Sequence, residues 1–153
     1  MREAHATLAP SSGRLADGRH ELPVRIYYED TDAGGVVYHA RYLAFAERAR
    51  TEMLRAVGAP STELAASSGL GFAVRRLSAE FRQPARLDDA LTVRTGLKGF
   101  EGASIALEQA IWRNATLLVE ILLELVCING RFRPVRIPAA LKSAIETHLV
   151  PSR

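Results

Sequence analysis

The sequence predicts an α+β domain in which one long helix lies on an antiparallel sheet. Three observations carry that prediction. Apolar residues step by three and four after His39, the spacing of one helix face. Past Phe72 the pattern changes to alternation, in runs parted by short turn-forming stretches. Strands joined only by tight loops pair antiparallel, and an apolar helix needs a sheet face to cover it.

The bulk numbers fit such a domain. With 153 residues, 48% of them hydrophobic and 24% charged, the chain is one domain with a real core. A formal net charge of +3 favours an anionic ligand, yet no block of Lys and Arg points to a nucleic-acid partner. The single cysteine, Cys127, excludes an intrachain disulfide and a cysteine-rich zinc site. It reads as a core thiol, in keeping with a reducing, cytoplasmic setting. No apolar run reaches the roughly 20 residues that cross a bilayer, since Glu120 and Glu124 interrupt 117–128. The first twenty residues hold Pro10-Ser11-Ser12-Gly13 and no hydrophobic segment long enough for a signal. Residues 1–20 are therefore expected to be a mobile tail, ahead of a single domain over 21–150.

In chain order, Ile26 to Tyr28 are β-branched or aromatic and predict a short strand. Glu29, Asp30 and Asp32 follow, then Gly34-Gly35, an acidic glycine-containing loop. Tyr42, Leu43, Ala46, Ala49, Met53, Leu54 and Val57 mark the long helix, which Gly58 stops. Ser61 or Thr62 caps a short helix that ends at Ser67-Ser68-Gly69. Phe72 to Gln83 is a strand whose alternation changes phase, and a β-bulge near Arg75-Arg76 reconciles its two halves. Leu91 to Leu97 and Ala103 to Arg113 form the next two strands, with Gly99 to Gly102 as the hairpin loop between them. Asn114-Ala115 turns into 116–128, where glutamates four apart suit a helix or a strand; hairpin context and Val/Ile content favour the strand. Pro138 opens a last helix carrying Leu141, Ile145 and Leu149.

The acidic loop delivers a carboxylate and two glycines to a helix N-terminus, where unpaired N–H groups and the helix dipole favour an oxyanion. Asp32 alone could be a loop aspartate that turns the chain. Glu29, Asp30 and Asp32 could together bind a hard divalent cation, but no nucleotide-binding glycine motif accompanies them. Glu29 and Asp30 read as solvated charges or hydrogen-bond partners.

The stretch RIYYEDTDAGGVVYHARY resembles the motif of the 4-hydroxybenzoyl-CoA thioesterase-like branch of the hotdog-fold proteins. Arg25-Ile26, Thr31-Asp32, Gly35-Val36-Val37 and Tyr42 stand at the matching places. The helix segment YLAFAERARTEML and the turn from Pro84 to Asp89 are similar to the Tol–Pal-associated acyl-CoA thioesterase family. The resemblance runs from about Leu22 to His148. It implies a hotdog fold, a long helix wrapped by a curved antiparallel sheet, and homodimers or homotetramers with sites at the dimer interface. It implies an acyl-CoA substrate, with acyl carrier protein as the other donor, and no metal or redox cofactor. Asp32 takes the place of the catalytic carboxylate. His39 takes the place whose backbone N–H polarises the thioester carbonyl, with a catalytic part for its imidazole in close relatives.

Gly34, Gly35 and Tyr38 are the expected substrate contacts around that pair, although Tyr38 and Tyr42 read as packing residues rather than acids. Arg75, Arg76, Arg86 and Lys98 are candidates for the coenzyme A phosphates, since each can meet a phosphate charge. Two rivals share the fold. A hotdog enoyl-CoA hydratase or dehydratase also pairs Asp with His but spaces them more closely than Asp32 and His39. A non-catalytic acyl-binding scaffold associated with the envelope would keep the fold with little turnover.

Overall fold

A computed structural model describes residues 2 and 4–151 of the chain. Its strands are β1 (Arg14–Ala16), β2 (Arg19–Arg25), β3 (Gly71–Phe81), β4 (Ala90–Glu101), β5 (Ser104–Arg113) and β6 (Thr116–Ile128). Its helices are α1 (His39–Ala56), α2 (Ser61–Ser68) and α3 (Ala139–His148). The strands form one antiparallel six-stranded sheet in the order β1-β2-β4-β5-β6-β3. This curved sheet with its long helix is the α+β hotdog arrangement.

One sheet face is apolar and packs on the helices. Val93, Leu97, Leu107, Ile111, Ile121 and Leu123 alternate inward from three neighbouring strands. Tyr42, Phe45, Ala46, Ala49, Met53 and Leu54 meet them from α1, at the expected helical spacing. Ala46 and Ala49 are fully buried, and their small side chains let the helix lie close on the sheet. Burying a side chain the size of Phe45 contributes roughly 1.5–3 kcal/mol. Leu141 and Ile145 of α3, with Leu149 just past its end, close the same core.

The register confirms the phase change in β3: Val74 faces Leu125 and Arg76 faces Glu124, so Arg75 is the extra residue of the bulge. A second shift between Ile111 and Trp112 explains why Leu118 is buried beside Val119. The run of apolar residues on both parities of β6 is thus partly a bulge; Leu122, in contrast, stays 52% exposed on the outer face.

Three expectations are corrected. The tail assigned to 1–20 contains a hairpin: β1 pairs with β2 through Asp17-Gly18, both at positive φ (53° and 71°), and His20 is fully buried. Met1 and Glu3 of that tail lie outside the described residues. Ile26 to Tyr28 are not strand. β2 ends at Arg25, and 28–30 is a 3-10 turn with Tyr27 and Tyr28 exposed. Finally, β4 runs through Gly99 and Phe100 to Glu101, leaving a two-residue turn at Gly102-Ala103. Lys98 is the bulge residue that lets it continue.

Candidate active site

The loop between β2 and α1 is built in two limbs. Asp30 anchors the first. It is 2% exposed, its Oδ2 accepts from the Tyr27 N–H (2.8 Å), and its Oδ1 accepts from Arg41 Nε (2.9 Å) and Nη2 (2.7 Å). Its carbonyl also takes the Tyr38 N–H at 2.9 Å. Asp30 therefore ties the loop's start to its end and to the first turn of α1. Bridges from Thr31 to Val37 and from Val36 to Arg86, with the Val37 N–H donating to Ala85 O (2.9 Å), fix the second limb on the Pro84–Asp89 turn.

Asp32 stands at the start of that second limb and is exposed. Its backbone N–H donates to Val36 O (2.9 Å), and its Oδ1 accepts from the Gly34 N–H (2.8 Å). Among the described residues its Oδ2 has no hydrogen-bond donor. A Cβ on Gly34 would sit 3.1 Å from Asp32 Oδ1, so this glycine leaves room for the carboxylate. Gly35 instead has φ +78°, with open space where a Cβ would be. Its backbone conformation favours glycine, and among the described residues no atom crowds the Cβ position.

The loop ends on the bare end of α1. Tyr38 is the N-cap residue and gives no side-chain cap, so the first-turn amides from His39 onward point outward unpaired by any side chain. The His39 ring is exposed, 4.6 Å from the Tyr38 ring and 6.1 Å edge-on to Phe81. Val37, His39, Tyr42, Phe81, Arg82 and Pro84 line a shallow cleft of about 250 Å³ there. Tyr42 forms its buried floor. Its hydroxyl accepts from the Ala85 N–H at 2.9 Å. Burial pushes the phenol up in pKa against the pull of that N–H, so Tyr42 remains neutral and structural.

The turn beneath the loop is held by charge. Asp89 Oδ2 accepts from the Arg86 N–H (2.8 Å) and from Arg113 Nη1 (2.9 Å). Burial raises the Asp89 carboxyl, but these two donors outweigh it and hold the group below the ordinary carboxylate range.

The fold thus places Asp32, Gly34, Gly35, Tyr38 and His39 along one bridged loop and helix start, with Arg86 bridged to that loop at Val36; of these, the residue that lines the cleft is His39. The fold does not bring the other predicted cations there. Arg76 and Lys98 line a separate recess with Ser78 and Glu124 on the outer face of the sheet, opposite α1. Arg75, on the bulge, pairs with Glu124 at 3.4 Å, and Lys98 lies 3.9 Å from Glu108. The sequence reading did not single out Arg41, Phe81 or Asp89. The Asp30–Arg41 pair spans eleven residues across a loop and a helix start, a separation with no local pattern to reveal it. Among the described residues, no helix is long and apolar enough to cross a membrane.

Comparison with known proteins points the same way. The family model described as the thioesterase-like superfamily matches residues 27–145. The acyl-CoA thioesterase YbgC of Haemophilus influenzae is 44% identical over 131 residues, covering 85% of this chain and 96% of its own. The acyl-CoA thioester hydrolase YbgC of Escherichia coli O157:H7 is 46% identical over 121 residues, covering 78% of this chain and 90% of its own. A probable thioesterase from Bartonella henselae superposes with a TM-score of 0.76 at 41% identity, over 78% of this chain and 99% of that one. A 4-hydroxybenzoyl-CoA thioesterase solved with 4-hydroxybenzoyl-CoA superposes at 0.80, over 84% and 99%; at 20% identity it speaks for the fold alone.

Proposed function

The chain belongs to the thioesterase-like superfamily and is a thioester hydrolase, and from that premise we propose that it cleaves acyl-CoA to a carboxylic acid and coenzyme A with Asp32 as the reacting carboxylate. The observation that carries the reading is the joint placement of Asp32 and the uncapped start of α1 on one short, bridged loop.

Hydrolysis needs a base or nucleophile and a place for negative charge on the carbonyl oxygen. One Asp32 oxygen is steadied by Gly34 while the other is free to act. As a general base it takes a proton from water as the water oxygen adds to the thioester carbon, and the tetrahedral intermediate then collapses with loss of the coenzyme A thiolate. As a nucleophile it forms a mixed anhydride and releases the thiolate, and water then cleaves the anhydride. In either route the carbonyl oxygen becomes an oxyanion against the His39 amide. One such preorganised donor is worth roughly 3–4 kcal/mol of barrier. The chemistry calls on no metal or redox group.

The assembly we propose is a homodimer, alone or paired into a tetramer. β3 ends the sheet and has a partner strand on one side only, while Val74 and Phe81 are 48% and 47% exposed. A second copy pairing there would complete the open side of the His39 cleft. The coenzyme A phosphates would then draw on Arg86 beside the loop, or on the Arg75, Arg76 and Lys98 of whichever copy brings them near. Its place is the cytoplasm, where the coenzyme A pool lies.

An acyl-CoA panel read with a thiol-detecting dye tests the reaction, with acyl carrier protein thioesters run in parallel. Free thiol is the expected result. Loss of enoyl absorbance without thiol would make the protein a hydratase, and neither signal would make it a binder. Single turnover in ¹⁸O-water tests the route, since label recovered in Asp32 establishes nucleophilic attack. Sedimentation showing only monomer at micromolar concentration would reject the dimer.

A further inference from the structure

Beyond the His39 cleft, a second cavity of about 450 Å³ opens between α1, α2 and β3. α1 lies across β2 and β4, so the helix-facing side of β3 is only partly covered. Leu43 of α1 and Leu77 and Ala79 of β3 are partly buried and pack against the core. The cavity has apolar walls from Leu54, Leu64, Phe72 and Leu125, and among the described residues the cation that lines it is Arg50.

Arg50 is an unusual core residue. It is 8% exposed, yet among the described residues no carboxylate pairs with it. Among the described residues its one hydrogen bond, from Nη1, goes to neutral Gln109 Oε1 at 2.9 Å. Gln109 is itself fixed, donating to Ala46 O (2.9 Å) and Thr95 Oγ1 (3.0 Å). The guanidinium is thus tied through Nη1 to a fixed amide, and Arg50 borders the cavity. Burial lowers its pKa, and the field of Glu47 offsets that only in part. Glu47 also lines the cavity, but from the exposed flank of α1; the Thr51 and Ser61 hydroxyls complete the polar lining.

Position matters as much as charge. His39 and Arg50 are eleven residues apart on α1, three turns along the same face, which places them about 16 Å apart along the axis. That separation matches the length of an extended acyl chain whose thioester lies at the helix start and whose far end reaches Arg50. Resting on the hydrolase reading above, we propose that the cavity receives the far end of the acyl group, and that Arg50 selects chains ending in a carboxylate. A planar guanidinium held by one edge presents the remainder of its fork to such a group. The leucine and phenylalanine walls take the methylenes.

The test compares kcat/KM for coenzyme A monothioesters of α,ω-dicarboxylic acids with plain acyl-CoAs of equal carbon number. The wild type is expected to favour the ω-carboxylated chain by about tenfold or more, the size of a hydrogen bond to a charged group. Arg50→Gln should cut that ratio about tenfold, and Arg50→Lys should retain part of it. Ser61→Phe, which fills the mouth from exposed α2 and leaves the Arg50–Gln109 bond alone, should lower the ratio as well and serves if Arg50→Gln does not fold. A ratio near one in the wild type, or one that neither variant moves, overturns the proposal. Thermal shift with the free acids separates this proposal from the hydrolase reading. If no acyl-CoA is turned over, that reading fails; stabilisation by the dicarboxylate over the monocarboxylate, lost in the variants, still upholds the Arg50 site, and its absence rejects it.

Discussion

The two limbs of the loop before α1 put nearly identical carboxylates to opposite uses. Asp30 is buried and saturated, with three donors on its side chain and a fourth on its carbonyl. Asp32, two residues on, is exposed and accepts one side-chain hydrogen bond, from Gly34. The first limb spends its charge on holding shape, and the second keeps an oxygen free. A carboxylate that is to react must be placed without being satisfied, and the neighbour that is satisfied does the placing.

The largest effect that would break this contrast is on Asp32. Asp32→Asn keeps the Gly34 bond and removes basicity and nucleophilicity together. Turnover should fall roughly 10²–10⁴-fold, while the melting temperature stays near that of the wild type. Wild-type turnover in this variant would remove Asp32 from the chemistry and the site assignment with it.

Asp30→Ala should behave in the opposite sense. It strands the Arg41 guanidinium and frees the Tyr27 N–H. Removing one partner of a buried pair costs about 3–5 kcal/mol, and the lower end applies because Arg41 is 34% exposed. Denaturant unfolding should show that loss, with residual activity tracking the folded fraction. A stable Asp30→Ala protein with collapsed turnover would instead make Asp30 a reacting group.

The adjacent glycines sharpen the contrast further. Gly35→Ala forces a side chain into positive φ and should cost about 1–2 kcal/mol of stability. Gly34→Ala sets a Cβ 3.1 Å from Asp32 Oδ1, so it should shift the carboxylate and lower kcat more than it lowers the melting temperature. Equal losses on both measures in both variants would show that one property governs the whole limb.

Much of this was legible in the sequence because it is periodic or local. Helix α1 was readable from its 3.6-residue spacing, and the β3 bulge from a change of parity at Arg75-Arg76. The N-terminal hairpin was missed although Asp17-Gly18 is a strong hairpin signal. Its first flank, Arg14-Leu15-Ala16, is too short to show alternation, and in β2 the inward run begins with a histidine, His20, and is interrupted by Pro23, which masks the alternation of Leu22 and Val24. Ile26 to Tyr28 looked like strand by composition, but the Asp30 carboxylate takes the Tyr27 N–H and turns the chain out of the sheet. At the site, Asp32, Gly34, Gly35, Tyr38 and His39 are neighbours in sequence, so one motif held them. Arg75, Arg76 and Lys98 were grouped by charge alone, and the sheet places Arg76 and Lys98 on the face away from the loop. Whether a side chain on a strand faces ligand or solvent depends on which face is covered, and that is settled by partners far along the chain.

The smallest predicted effect concerns the turn that supports both limbs. Asp89 is held by the Arg86 N–H and Arg113, and its carboxyl lies below its ordinary value despite the opposing effect of burial. A lowered folded-state pKa means the unfolded chain binds the proton more readily. The stabilisation is therefore complete above the ordinary value, about pH 4, and is lost as pH falls through the lowered folded value. Both side chains of the pair are partly exposed, 29% for Arg113 and 25% for Asp89, so solvent screening keeps the contribution within about 1 kcal/mol. Asp89→Asn retains an acceptor for the Arg86 N–H and deletes only the charge. The gap in melting temperature between wild type and this variant should be constant from neutral pH down to about 5 and should close on further acidification. Because the Val36–Arg86 bridge is made by backbone, turnover at neutral pH should change far less than in Asp32→Asn. A gap that widens in acid would mean the Asp89 carboxyl is raised by its burial after all, and that Arg113 does not govern the turn.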